Sequence, residues 1–527
     1  MLLTGQMFKS HRAVAQSRAL KPTIEPRAEE FGIIWEKDVD GLPKFKVYAA
    51  GLWESAEEYM DVRSPIDLSV VARVPRAGKG LLSRTVRRVH DKGMWDVRDM
   101  PGGKRLDVYH RTADLLEGMK DEFAEALVVN AGKTRHAALG EVKASVERLR
   151  RSDLDIRKIL GEYVPGDWSE ETVETEAIVR REPIGIMLAI APFNYPLFDT
   201  VNKVVYSTIV GNAVIVKPAS STPIPSLMFA RLLELAGFPK RGLAVLTMLG
   251  RDMDPLITDR RISGISLTGS TETGLKVLKT AGIKQFVMEL GGGDPAIVLS
   301  DADVRDAAQR LVVGMTGYAG QRCDAVKMIL AEKVVYPRLK RELINDLKKI
   351  RVGDPRNEAV TMGPVINEET ADQMMRGVRD AVRRGGKVIF GGERTGRNYV
   401  QPTLIEVSKE KVKGMELYRN ETFAPVSLIM PIDRIEDGLD IANGRRYGLD
   451  ASVFGKDVNK IRRLLRMLDV GAVYINDIPR HGIGYFPFGG RKDSGIGREG
   501  IGYTFEHVTS HKSLIYSYKG KGVWDYL

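Results

Sequence analysis

From residue 184 onward the chain alternates two patterns, and this alternation restricts the folds open to it more than any other feature. Short β-branched runs recur as IGIMLAIA (184–191), AVIVKP (213–218), LAVLTML (243–249), ISGISLTG (262–269) and QFVMEL (285–290). Helical-period segments stand between them, such as PSLMFARLLELAG (225–237) and TETGLKVLKTAG (271–282). Strands alternating with helices predict a parallel sheet covered on both faces. The nearly continuous apolar strands agree with burial on both sides. A second series runs through PAIVLS, a helix at 302–317, AVKMILAEK, a helix at 336–349, KVIFGG, SLIMP, DASVFG and GAVYIND, and reads as a second α/β unit. The first 165 residues read as more helical, with amphipathic runs at 104–127 and 137–160. Residues 163–185 read as an edge ribbon reaching outside the domain, with KSLIYSYK (512–519) as a partner strand.

A chain of 527 residues is too long for one core, so two to four structural units are expected. A single cysteine excludes a disulfide framework and a cysteine-rich zinc site, no metal is expected, and the usage fits a reducing cytoplasm. The net charge of +11 raises a nucleic-acid-binding reading, but the basic residues are dispersed and aromatics make up only 7%. No stretch of about 18 apolar residues appears, so no membrane span is expected. The N-terminus, MLLTGQMFKSHRAVAQSRALK, is basic and free of acids; it reads as a tail ahead of the folded body, with a slight likeness to a transit peptide.

Four stretches carry candidate chemistry. In YAGQRCDAVK (318–327) the lone Cys323 reads either as a small buried hydrophobe or as a nucleophile whose pKa the adjacent Arg322 lowers. In VMELGGGDPAIV (287–298) Glu289 ends an apolar strand and meets three glycines. A carboxylate there lies where α/β proteins place ligands, and apolar surroundings would suit it to act as a general base. In SLTGSTETG (266–274) Ser270 can cap a helix whose N-terminus offers N–H groups to a phosphate. In APFNYPL (191–197) Asn194 lies between two prolines, and a fixed amide is a good oxyanion donor. Lys217 ends the next strand and can reach a cofactor hydroxyl or phosphate.

The ordered set Asn194, Lys217, Gly269–Ser270, Glu289, Cys323, Glu421 in NETFAPV, Asn476 and FPFGGRKDSGIGRE (486–499) resembles the aldehyde dehydrogenase superfamily, over roughly residues 30–520. The resemblance implies a Rossmann-like cofactor domain (30–164 and 182–289) after an N-terminal tail (1–29). It also implies an α/β catalytic domain (290–504) and a small β bridging and oligomerisation segment (165–181 and 505–527). It implies a Cys323 nucleophile, an oxyanion held by the Asn194 amide and the Cys323 N–H, and Glu289 activating water. Lys217 and Glu421 would contact the riboses of NAD or NADP, Gly269 and Ser270 would sit by the pyrophosphate, and Phe423 would pack near the nicotinamide. A cytoplasmic homotetramer, a dimer of dimers, follows from the family.

Tyr195, Arg322 and Arg480 narrow the substrate. Two arginines and a phenol suit a phosphate, and GQRCDAVK, PFNYPLFD and NDIPRHGIGYFPFGG resemble the archaeal-type non-phosphorylating glyceraldehyde-3-phosphate dehydrogenases. The implied glycolytic step turns glyceraldehyde 3-phosphate and water into 3-phosphoglycerate with NAD(P)+ reduction. Another anionic aldehyde, such as a semialdehyde, is the alternative on the same fold. Some members carry a further arginine near the position of Ala144, where Lys143 or Arg148 is available instead. Ser220 stands where many NAD-preferring members carry a glutamate, so NADP is tolerated and both cofactors stay open.

Overall fold

The computed structural model describes residues 21–156 and 161–518. The sequence-read tail therefore falls largely outside the described residues, as do the last four residues of the run 137–160 and the end of KSLIYSYK. Within the described part of the tail, Ile24 is buried in the core.

One sheet has eight strands, in the order Gly495–Ile496, Gln285–Glu289, Gly264–Thr268, Ile186–Ile190, Ala213–Lys217, Leu243–Val245, Val47–Ala49 and Trp53–Glu54. Its five central strands are parallel, and both edges are antiparallel. The first of the five, Ile186–Ile190, lies in the middle. Two successors pair outward on one side and two on the other, so the strand order reverses beside it. Such a switch point, at the carboxyl ends of parallel strands, is where open α/β sheets bind ligands. The register aligns Lys217 with Ile190 and Thr268 with Glu289, bringing the candidate residues to one edge. Ile186–Ile190 and Ala213–Lys217 are buried at every position, because helices cover both faces.

A second sheet has seven strands, in the order Lys387–Phe390, Thr403–Glu406, Val426–Ile432, Val326–Glu332, Asp294–Val298, Asp450–Phe454 and Ala472–Ile475. All its pairs are parallel except the first. Helices Val304–Thr316 and Tyr336–Leu347 pack on one face, and Glu368–Arg383 and Ile435–Asn443 on the other. The third sheet is the ribbon of Glu162–Pro165, Thr175–Pro183 and Thr509–Ser517, with Thr509 opposite Pro183 and Ser517 opposite Thr175.

The first 165 residues are less helical than their sequence reads. Helices Gly102–Gly118, Lys120–Ala131 and Arg135–Arg150 are there, but six strands precede them. Four of these, Trp35–Lys37, Pro43–Phe45, Tyr59–Arg63 and Val70–Pro75, form a separate sheet, tied by Arg73 to Asp38 and Asp40 at 2.6 and 2.7 Å. Most of them are too short to show a period-2 pattern. Among the described residues no helix is long and apolar enough to cross a membrane.

Candidate active site

Cys323 stands on the link between helix Val304–Thr316 and strand Val326–Glu332. Just before it, Tyr318, Ala319 and Gly320 are left-handed, with φ of 48°, 53° and 67°. A non-glycine residue held there costs about 1–3 kcal/mol, so the surroundings must enforce the bend. Lys327 Nζ donates to the carbonyls of Gly320 and Ala424 at 2.9 and 2.6 Å, and the Ile366 N–H donates to Gln321 Oε1 at 2.8 Å. From the other sheet, Asn194 Nδ2 donates to the Gln321 carbonyl at 3.1 Å, two residues before the thiol. Arg322 is engaged as well, by Asp324 at 2.9 Å and the Pro479 carbonyl at 2.8 Å. Burial pushes the Cys323 thiol well up, and the charges of Asp324, Glu421, Glu289 and Asp199 add to it. The net shift is upward, opposite to the lowering expected from Arg322, whose guanidinium is engaged by Asp324.

Glu289 faces this loop across the cleft. It is 2% exposed, and neither carboxyl oxygen has a hydrogen-bond partner among the described residues. Burial holds its pKa well above the carboxylate range. The glycines after it serve contact with the protein itself: a Cβ on Gly292 would lie 2.1 Å from the Cys323 carbonyl oxygen. Only glycine lets the end of the Glu289 strand touch the thiol loop. The Gly292 N–H also donates to Glu421 Oε1 at 2.9 Å, and burial raises Glu421 to about 7. The motif FPFGGRKDSGIGRE closes this side. Met288 pairs with Ile496 and Glu289 with Gly495, while Ser494 Oγ donates to the Gly291 carbonyl at 2.6 Å.

The residues that could hold a dinucleotide lie along the sheet edge. Lys217 is buried with no partner among the described residues, and burial alone pulls its pKa down to about 8. An orphan amine at a strand end fits a phosphate or a ribose hydroxyl. Half-buried Ser220 lies three residues on. The Gly269 N–H donates to the Glu289 carbonyl at 3.0 Å, and Ser270 Oγ caps helix Thr271–Thr280 by accepting from the Thr273 N–H at 3.2 Å. Nearby, Thr268 Oγ1 is buried without a partner. The Phe423 ring meets Phe193 edge-on at 5.6 Å.

The three substrate candidates separate. Tyr195 has Lys133 Nζ 3.9 Å from its ring centre, and the same ammonium lies 4.7 Å from the Tyr318 ring. Arg322 lines the thiol loop, but Arg480 has a 67% exposed side chain paired with Asp477 at 2.6 Å. Its neighbour His481 turns inward and meets Phe198 and Phe488 edge-on, with ring centres at 5.5 and 4.5 Å. Arg148 is committed to Asp155 at 2.9 Å and Asn202 at 2.7 Å, and Lys143 is exposed.

Two buried ion pairs near the cleft escape sequence reasoning. Lys133 pairs with Glu141 at 2.6 Å, and Glu141 accepts the N–H groups of Leu197 and Phe198, fixing the turn after Asn194. Lys203 pairs with Glu499, which also accepts from Asn202 and Tyr206. For Lys203 the available signal was a charge within a helix that is buried at every position, Phe198–Ile209.

Known proteins resemble this chain in sequence and fold. Lactaldehyde dehydrogenase of Methanocaldococcus jannaschii is 32% identical, over 89% of this chain and 100% of that protein. 3-Sulfolactaldehyde dehydrogenase of Priestia aryabhattai is 31% identical, over 90% of this chain and 98% of its own length. The crystal structure of glyceraldehyde-3-phosphate dehydrogenase GapN from M. jannaschii, complexed with NADP, superposes with a TM-score of 0.82 at 32% identity, over 88% of this chain and 100% of that one. Residues 53–514 match the aldehyde dehydrogenase family. With a lone thiol, a facing carboxyl and an amide-bearing turn at the edge of a parallel sheet, the chain belongs to the aldehyde dehydrogenase family.

Proposed function

We propose that the protein oxidises a short aldehyde to its acid with NAD(P)+ and water, and that glyceraldehyde 3-phosphate is that aldehyde. The observation that carries the chemistry is the seam where Gly292 meets the Cys323 carbonyl, with unpartnered Glu289 beside it and the Asn194 amide on the same loop. The Cys323 sulfur, after losing its proton, bonds to the aldehyde carbon, and the carbonyl π pair becomes an oxyanion. The Asn194 amide and the Cys323 N–H hold that oxyanion; one such donor is typically worth about 2.7–4 kcal/mol. When bound, NAD(P)+ would supply the acceptor for the hydride that leaves the former aldehyde carbon. The acyl group then remains on Cys323 as a thioester. Glu289 takes a proton from water as the water oxygen bonds to the acyl carbon, the C–S bond breaks, and the sulfur regains a proton. Lys217 and Ser220 favour acceptance of NADP, since an amine and a neutral hydroxyl can both face a 2′-phosphate.

The M. jannaschii GapN and the two lactaldehyde-type relatives support a three-carbon substrate. Arg322 and Lys133 beside Tyr195 favour an anionic end. A neutral aldehyde such as lactaldehyde is the second reading, favoured by the engagement of Arg322 with Asp324 and of Arg480 with Asp477. The ribbon, with Ile178, Ile515 and Tyr516 exposed, is proposed to pair with further copies as a dimer of dimers. The single cysteine fits a cytoplasmic setting.

The test is NADP+ and NAD+ reduction on glyceraldehyde 3-phosphate without inorganic phosphate, with lactaldehyde alongside. Steady turnover is expected from the unaltered protein, and one burst followed by a stall from Glu289→Ala. Full steady turnover by that variant would remove Glu289 from its role, and a preference for lactaldehyde would move the substrate to the second reading.

A further inference from the structure

We infer that Asp199 receives the hydroxyl on the carbon next to the aldehyde, which makes this a site for 2-hydroxyaldehydes. The inference rests on the aldehyde-oxidising reading above and names the substrate class.

Asp199 opens helix Phe198–Ile209, and its N–H donates to the Tyr195 carbonyl at 3.0 Å. It therefore lies one hydrogen-bonded turn beyond Tyr195, which precedes the helix, and Asn194 immediately precedes Tyr195. The edge-on Phe198–His481 contact pins the start of this helix. Asp199 is 8% exposed, yet its carboxyl has no hydrogen-bond or ion-pair partner among the described residues. Each nearby cation is already matched: Lys133 to Glu141, Lys203 to Glu499 and Ser266, and Arg322 to Asp324. His481 Nε2 sits 3.7 Å from Glu499.

A carboxyl that is largely enclosed, reaches open space and has no protein partner is free to take a hydrogen bond from a bound molecule. The helix that carries Asp199 starts directly after the turn that holds Asn194 and Tyr195, and the charge of Asp199 acts on Cys323, which makes the substrate the candidate for that molecule. An acid repels a phosphate, sulfonate or carboxylate and suits a hydroxyl. The carbonyl oxygen belongs to Asn194, which leaves the hydroxyl on the adjacent carbon. Lactaldehyde, 3-sulfolactaldehyde and glyceraldehyde 3-phosphate, named for three similar proteins, all carry that hydroxyl and differ at the third carbon. Burial raises Asp199 to about 7. It can accept the hydrogen bond when ionised and can both accept and donate when protonated.

The test measures kcat/KM with saturating NADP+ for two matched pairs, lactaldehyde against propanal and glyceraldehyde 3-phosphate against 3-phosphopropanal. The unaltered protein should favour the hydroxylated member of each pair. In Asp199→Leu that preference should fall about 10- to 100-fold, the range expected for a hydrogen bond to a charged group. Near-isosteric Asp199→Asn should keep part of it and guards against misfolding of the first variant. An unchanged ratio in both variants, or equal rates on lactaldehyde and propanal in the unaltered protein, would overturn the inference while leaving aldehyde oxidation intact. Failure to oxidise any aldehyde would overturn the reading beneath it, and this inference with it.

Discussion

Two of the buried glutamates near the cleft, Glu499 and Glu289, are treated in opposite ways. Glu499 is 1% exposed and matched by Lys203, Asn202 and Tyr206, and these partners hold its pKa far below the carboxylate range. Glu289 is 2% exposed and has no partner, and its pKa rises instead. The same side chain is a fastener in one place and, in the proposed mechanism, a proton carrier in the other. Burial is common to both, and the difference lies in what faces the carboxyl. An unmatched buried acid is a cost to folding that chemistry can explain; a matched one leaves little capacity for chemistry.

The contrast breaks most sharply on Glu289→Gln. Steady-state turnover should fall about 10²–10⁴-fold, the usual worth of a general base, with no loss of resistance to urea. A variant that lost stability but kept its rate would reverse the two roles. Lys203→Met should do the opposite. Leaving Glu499 buried and unpaired should cost about 3–5 kcal/mol, seen as a lower urea midpoint, and an unchanged midpoint would mean that Glu499 is held by its neutral partners alone.

The thiol sharpens the comparison, because it too is buried among acids. Alkylation of the cofactor-free protein by iodoacetamide should still be accelerating as pH passes 9, and NADP+ should speed it at pH 7. A rate already flat near pH 7 would show that Arg322 governs the sulfur after all. The smallest effect belongs to Lys217. Its pKa of about 8 in the free protein should rise when a phosphate faces it. NADP+ affinity should then be greatest below pH 8 and decline as pH rises beyond it, by about tenfold per unit once the amine is neutral. Titration of Kd from pH 7 to 10 checks this, with Lys217→Gln expected to be flat.

The two halves of the chain also differ in how far the sequence reveals them. Most strands named from residue 184 on lie within three residues of their observed bounds, because a doubly covered parallel strand must be a continuous apolar run; LAVLTML (243–249) is the exception, since its strand ends at Val245, and Thr403–Glu406 went unread. The region 35–75 was unreadable for the opposite reason: its strands are short, exposed in part and separated by tight turns. In the site, Cys323, Glu289 and the Ser270 cap announce themselves, as a unique residue or a strand end beside glycines. Lys203 is visible as a charge among valines, but nothing local connects it with Glu499, 296 residues away. Arg480 and His481 are neighbours that face opposite ways, and only the path of their loop decides which turns inward.

The edge strand Gly495–Ile496 limits how the two halves can move. It follows the seven-stranded sheet in the chain yet completes the eight-stranded one beside Glu289. The two large halves are thus stitched along the floor of the cleft, and a clamshell hinge would have to tear that stitch. Entry and exit of a substrate must instead be managed by side chains and short loops at the rim, so turnover should be indifferent to solvent viscosity except where product leaves.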